Sequence, residues 1–210
     1  MGSGLCSVST NRSTTGACSV LKRSDTRAPR ADASRNRRQL LEVATRVFAS
    51  AETEPSLREV AREAGVGIAT LYRHFPTRED LVAAVYGDQV QRLTDGARRL
   101  LAELPPAEAL RRWMDLFGDW IATKNGMLGT LLTMIESGEI AHARTHADLI
   151  AAIEEVLRAG DAAGELRGDV AAEDVAAGLI GIFTVAPLPE HGARAGRLLD
   201  LLMRGLRPEP

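Results

Sequence analysis

From Asn36 onward the apolar residues Leu40, Ala44, Val47 and Phe48 recur at i, i+4, i+7 and i+8, a single stripe along a helix. The stretch "AETEP" ends that helix. Ser56 stands three residues before Glu59, the spacing of a capping box, and Leu57, Val60, Ala61 and Ala64 then form the apolar face of a short second helix. Gly65 falls where a left-handed C-terminal cap belongs. Val66 is expected to plug the turn, and Gly67 to open a third helix over residues 68–74 that Pro76 forbids from continuing. Thr77 then caps a fourth helix, with Asp80 at the box position and Glu79 near its positive end.

The rest of the chain keeps the same period. Leu81, Val85, Leu93, Leu100 and Leu101 predict a long fourth helix running up to "LPP". Trp113, Leu116, Phe117, Trp120 and Ile121 predict a fifth, ended by Asn125 and Gly126. "GMLGTLLTMIESG" reads as a short sixth, "THADLIAAIEEVLRAG" as a seventh, "AAEDVAAGLIGIFTV" as an eighth and "ARAGRLLDLLMRG" as a ninth. The fold expected is therefore all-α. Residues 1–33 are rich in Ser, Thr, Gly and Arg with almost no large apolar residue, so they predict a disordered basic tail. A helical reading unit at 34–78 and a larger helical domain at 79–210 follow.

Two short helices joined by a tight glycine turn, with a third helix before them, are the layout of a helix-turn-helix DNA reader. The breaks at Gly65 and Pro76 let the third helix leave the second steeply and put its N-terminal end into a major groove. Over residues 37–85, and above all in the segment "GVGIATLYRHFPTRED" from Gly65 to Asp80, the chain resembles the TetR family of one-component transcriptional regulators. Around "GDWIATKNGM" and "AAGELRGDVAAEDVAAGL" the back half is similar to the C-terminal domain of a TetR subgroup common in high-GC bacteria.

The resemblance implies a homodimer that binds a double-stranded DNA operator through its N-terminal unit and a small effector through its C-terminal domain. It implies phosphate contacts from Thr70, Tyr72 and His74, a backbone contact from Arg78, and a groove-facing start of the recognition helix at Ile68 and Ala69. Arg73 lies on the same helix. Arg37, with Arg35 and Arg38, stands where the family places backbone or minor-groove contacts; a merely solvated basic face is the alternative. Tyr72 is open to a second role as a core aromatic, His74 to being an ordinary solvated histidine, and Phe75 reads as core. Gly67 replaces the frequent Ser cap and removes one phosphate-binding hydroxyl.

Charge supports this division. Residues 1–85 carry 13 Lys/Arg against 9 Asp/Glu, whereas residues 86–210 carry 13 against 19. A basic front suits a polyanion, and an acidic remainder would be repelled by it.

The candidate effector site lies in the larger domain. Trp113, Phe117 and Trp120 share one face of the fifth helix, and Met127, Leu131, Met134 and Phe183 are placed to close the opposite walls, unless these side chains are plain core. An unpaired inward charge would cost heavily, so the effector expected is largely apolar. Leu198, Leu199, Leu201, Leu202 and Leu206 form an apolar arc, and Ala177, Gly178 and Gly181 permit close helix approach, the makings of a two-fold four-helix interface.

Other chemistries find little support. His142 and His146 sit at i, i+4, with Glu139 or Asp148 near, but "HARTH" lacks the Glu of HExxH, and there is no GxSxG and no phosphate loop. We expect neither an enzyme nor a metal or other cofactor. Only Cys6 and Cys18 are present, which excludes a disulfide framework. No apolar run reaches the length of a membrane span and no leader pattern opens the chain, so the expected location is cytoplasmic. The second function reading is a DNA-binding architectural protein whose C-terminal domain only dimerises. A filled interior would favour it over an effector sensor.

Overall fold

The computed structural model describes residues 27–188 and 191–208, and among them the chain is all helix. The elements are α1 (Arg27–Ala49), α2 (Leu57–Glu63), α3 (Ile68–His74), α4 (Arg78–Glu103), α5 (Pro106–Asn125), α6 (Leu128–Glu136), α7 (His142–Ala162), α8 (Ala172–Val185) and α9 (Gly192–Gly205). The first helix starts at Arg27, so residues 27–33, expected in the tail, are helical. The remainder of the expected tail, residues 1–26, lies outside the described residues.

The stops and starts have local causes. Ser56 and Glu59 complete a reciprocal capping box, the Ser56 amide donating to Glu59 Oε2 at 2.7 Å and the Glu59 amide to Ser56 Oγ at 3.3 Å. Gly65 has φ +65, the left-handed conformation that closes α2 without a Cβ penalty. Thr77 and Asp80 repeat the box at the head of α4, both bonds at 3.0 Å. Each box satisfies amides that a helix start leaves without an intrahelical partner.

The first three helices close a small core of Leu40, Ala44, Phe48, Val60, Leu71 and Phe75, all buried, with Val66 half-buried over the turn. That core is continuous with the larger one. α4 packs along α5 and α7, α8 lies against α5 and α7, and α9 against α5 and α8. At the junction Gly126 comes so close to the end of α1 that a Cβ there would sit 1.9 Å from the Phe48 carbonyl oxygen. Only glycine permits this approach, which fixes the reading unit against the α5–α6 corner.

Candidate functional site

The recognition helix is held by one face and presented by the other. Leu71 and Phe75 are fully buried, and between them Tyr72 is 48% exposed, with Arg73 exposed beside it. Gly67 and Ala69 are exposed at the N-terminal end, while Thr70 and His74 are half-buried. Arg73 Nη2 donates to Thr70 Oγ1 at 3.1 Å, so these two side chains move as a pair. The Arg37 guanidinium lies 4.9 Å from the Phe75 ring centroid and is exposed, which brings the basic start of the reading unit to the end of the recognition helix. Ile68, expected at the groove, is half-buried and packs against the core. Of that pair Ala69 is the one presented to solvent.

Arg78, expected at the DNA backbone, is engaged within the protein. Its Nη1 donates to the Pro55 carbonyl at 2.6 Å and its Nε to Thr130 Oγ1 at 2.9 Å, and Nη2 lies 2.9 Å from Glu54 Oε1. Thr130 Oγ1 in turn donates to Glu54 Oε1 at 2.6 Å. Burial pushes the Glu54 carboxyl up, but the Thr130 and Arg78 hydrogen bonds and the Arg78 charge outweigh it and hold Glu54 below the usual carboxylate range. All three guanidinium nitrogens of Arg78 are thus directed at groups of the protein itself. This engagement makes the residue a tie between the α1–α2 loop, the head of α4 and the start of α6.

Sequence reasoning missed Glu54 and Thr130 entirely. "AETEP" reads only as a helix stop, and nothing in local spacing announces a partner 76 residues away.

The seven residues expected at an effector site, Trp113, Phe117, Trp120, Met127, Leu131, Met134 and Phe183, are all buried in the one hydrophobic core. Phe117 is the hub, its ring centroid 5.7 Å from Trp113, 5.2 Å from Trp120 and 6.3 Å from Phe183. Trp113 Nε1 donates to the Leu93 carbonyl at 2.8 Å, which pins that indole to α4. The Phe183 ring lies directly on Gly118, where a Cβ would meet it at 2.5 Å. The four aromatic rings form a contiguous packed cluster around Phe117.

In α8 and α9 the apolar residues divide. Leu199 and Leu206 are buried within their own domain and Leu198 and Leu202 half-buried, whereas Leu201, Ile180 and Val185 are 59%, 50% and 61% exposed. Ala177 and Gly181 are exposed beside Ile180. The outward apolar face is therefore centred on α8 more than on the leucines of α9. His142 and His146 gain no third ligand, since no group of three or more His, Cys, Asp or Glu gathers in metal-holding geometry among the described residues.

The comparisons with known proteins bear on this geometry. Residues 40–85 match the model of bacterial regulatory proteins of the tetR family, and residues 105–208 that of the SbtR-like transcriptional regulator C-terminal domain. A TetR transcriptional regulator of Streptomyces coelicolor is 44% identical, covering 83% of this chain and 99% of that one at a TM-score of 0.75. The chain belongs to the TetR family of transcriptional regulators. A TetR transcription regulatory protein of Mycobacterium vanbaalenii is 36% identical over 86% of this chain and 99% of that chain, with a TM-score of 0.66.

An HTH-type transcriptional regulator of Staphylococcus aureus is 42% identical over 53 residues, 25% of this chain and 29% of that protein. The match to the curated relatives thus covers under a third of their length. As a TetR-family protein the chain is a DNA-binding transcriptional regulator with its helix-turn-helix in α2 and α3. No described helix is long and apolar enough to cross a membrane.

Proposed function

We propose that this TetR-family regulator is a cytoplasmic repressor that binds a double-stranded DNA operator as a homodimer and leaves it when a small, largely apolar effector enters the C-terminal domain. The observation that carries the DNA contact is the outward face of α3, where Tyr72 stands 48% exposed between two fully buried anchors. An aromatic hydroxyl held out on a rigid helix is suited to a phosphate oxygen. Gly67, Ala69, Thr70, Tyr72, Arg73 and His74, with Arg37, make up the proposed interface. A two-fold dimer would read half-sites about one helical turn, ~34–36 Å, apart or a multiple of it.

Coupling runs through α4. It begins at Arg78, one residue past the Thr77 cap beside the recognition helix, and continues to Glu103 along α5 and α7. A tilt of this helix changes the separation of two reading heads. The effector must prefer the tilted state, by ~5.5 kcal/mol to move the balance from about 1:99 to 99:1.

The packed cluster around Phe117 favours a second reading, a DNA-binding architectural protein whose C-terminal domain only dimerises, because an effector there has to part side chains already in contact. Selection of bound duplexes from a random library, followed by release assays with apolar small molecules, separates the two. Under our reading Phe117→Ala blunts release while operator affinity stays within a few fold, although emptying the site costs about 3–5 kcal/mol of stability. Loss of DNA binding by a folded Phe117→Ala protein would favour the architectural reading.

A further inference from the structure

The interior of the larger domain is not uniformly apolar. Among the described residues the buried polar side chains are Gln89 on α4, Thr123 on α5 and Thr145 on α7. Thr123 Oγ1 is satisfied by the Asp119 carbonyl at 2.9 Å. Beside them, Tyr86 on α4 and Trp120 on α5 are each 4% exposed, yet the Tyr86 hydroxyl and Trp120 Nε1 have no hydrogen-bond partner in the protein. Their rings are neighbours, with centroids 6.4 Å apart. Thr145 lies beside the Tyr86 hydroxyl without completing a hydrogen bond to it, and burial holds that phenol above its ordinary pKa.

Such orphans are expensive. A buried donor left unpaired costs about 1–3 kcal/mol, so two on adjacent rings are a feature that a bundle serving only to dimerise would replace with Phe or Leu. Trp113 shows the contrast, because the other indole of the chain is fully satisfied by a backbone carbonyl. A third donor stands close: the Lys124 ammonium lies 5.4 Å from the Trp120 ring centroid, is half-buried, and has its pKa lowered by desolvation. All three groups can donate a hydrogen bond, and the indole can only donate.

We infer that Tyr86 and Trp120 form the polar end of a small-molecule site between α4, α5 and α7, which takes an apolar molecule carrying one hydrogen-bond-accepting oxygen, a carbonyl or a carboxylate. The inference rests on the effector reading above and adds to it the chemistry of recognition. The acceptor oxygen is held by the Tyr86 hydroxyl and the indole N–H, and its apolar remainder extends toward Phe117. Lys124 is placed to favour the anionic form of such a head group. Because Tyr86 belongs to α4, the helix that starts beside the recognition helix, an oxygen bound there acts directly on the element that sets the reading heads.

The test uses the full-length dimer with 15N-labelled tryptophan, which gives two indole N–H signals assigned with Trp120→Phe. It is titrated with 2-octanone, octanoate and 1-octene, and circular dichroism checks the fold of each variant. The expected result is a saturable shift of the Trp120 signal with an oxygen-bearing probe, with 1-octene binding at least about tenfold more weakly. Tyr86→Phe should erase most of that preference. A preference for octanoate over 2-octanone that disappears in Lys124→Met identifies the head group as a carboxylate, and a preference for the ketone identifies a neutral carbonyl. The inference is overturned if no probe moves the Trp120 signal and that N–H contacts only water, or if 1-octene moves it as strongly as the ketone. A probe that binds at Trp120 without altering DNA affinity upholds this site and defeats effector release. A compound that releases DNA without touching the Trp120 signal upholds release and defeats this site.

Discussion

Tyr72 and Ala69 occupy the same short helix but are asked to do different things. In the proposed interface the exposed Tyr72 hydroxyl would meet the DNA backbone, which carries no sequence information, whereas the exposed Ala69 would face base edges. Tyr72→Phe should therefore weaken binding to every duplex by a similar factor, about 2- to 10-fold for one lost hydrogen bond. Ala69→Ser should instead redistribute preference among duplexes. Competition binding against a panel of single-base operator variants checks both, and a Tyr72→Phe effect confined to one base position would place Tyr72 among the readers.

At this scale the sequence was legible where a residue's role is set by its own neighbours: the Ser56 and Thr77 boxes, the Gly65 turn and the buried Phe75 all follow from spacing. It was illegible where long side chains choose among distant partners. Arg78 has the reach of a phosphate contact and spends it on Glu54, Pro55 and Thr130. Ile68 turns inward by helix phase.

Between elements, the Glu54–Arg78–Thr130 tie and the glycine contact at Gly126 fasten the reading unit to the α5–α6 corner. We predict that Arg78→Met lowers thermal stability by several degrees. A hydrogen bond to a charged group is worth about 1.5–3 kcal/mol, reduced here because the pair is partly exposed. Thr130→Val should reproduce part of the loss, and the two together should be less than additive. Because Glu54 is held below its ordinary pKa, its contribution is complete at neutral pH and is lost as pH falls through the lowered value. Stability of the wild type relative to Glu54→Gln, measured by denaturant titration from pH 7 down to about 3, should fall only below the ordinary carboxylate pKa of about 4.3. A difference independent of pH would show that the carboxylate charge plays no part in the tie.

The nine helices among the described residues were foreseeable as elements because apolar periodicity marks them and caps, glycines or prolines mark many of their ends. How they lean on one another was not, since the 1.9 Å Cβ clearance at Gly126 is a property of two segments far apart in sequence.

For the whole molecule, the surface we propose for dimerisation is the exposed face of α8 with the adjoining edge of α9. Ile180, Val185 and Leu201 stand out of a domain whose other large apolar residues are mostly buried, and Ala177 and Gly181 leave room for a second backbone. Of the leucine arc expected in α9, Leu199 and Leu206 are buried inside their own subunit and Leu201 is exposed. Ile180→Asp is a cleaner test than a change at Leu202, which packs toward Gly178 of the same chain. It should yield folded monomers by sedimentation and bind half-sites weakly; a persistent dimer would move the interface elsewhere.

Every other proposed role depends on operator binding. Equilibrium affinity for a selected duplex and for its scrambled counterpart, measured by fluorescence anisotropy across a salt series, tests it most directly. The predicted result is a specific complex at least ~10³-fold tighter than the scrambled one. Both affinities should fall steeply as salt rises, because the protein displaces counterions from phosphates. Equal affinities for the two duplexes, or affinity that does not change with salt, would contradict it.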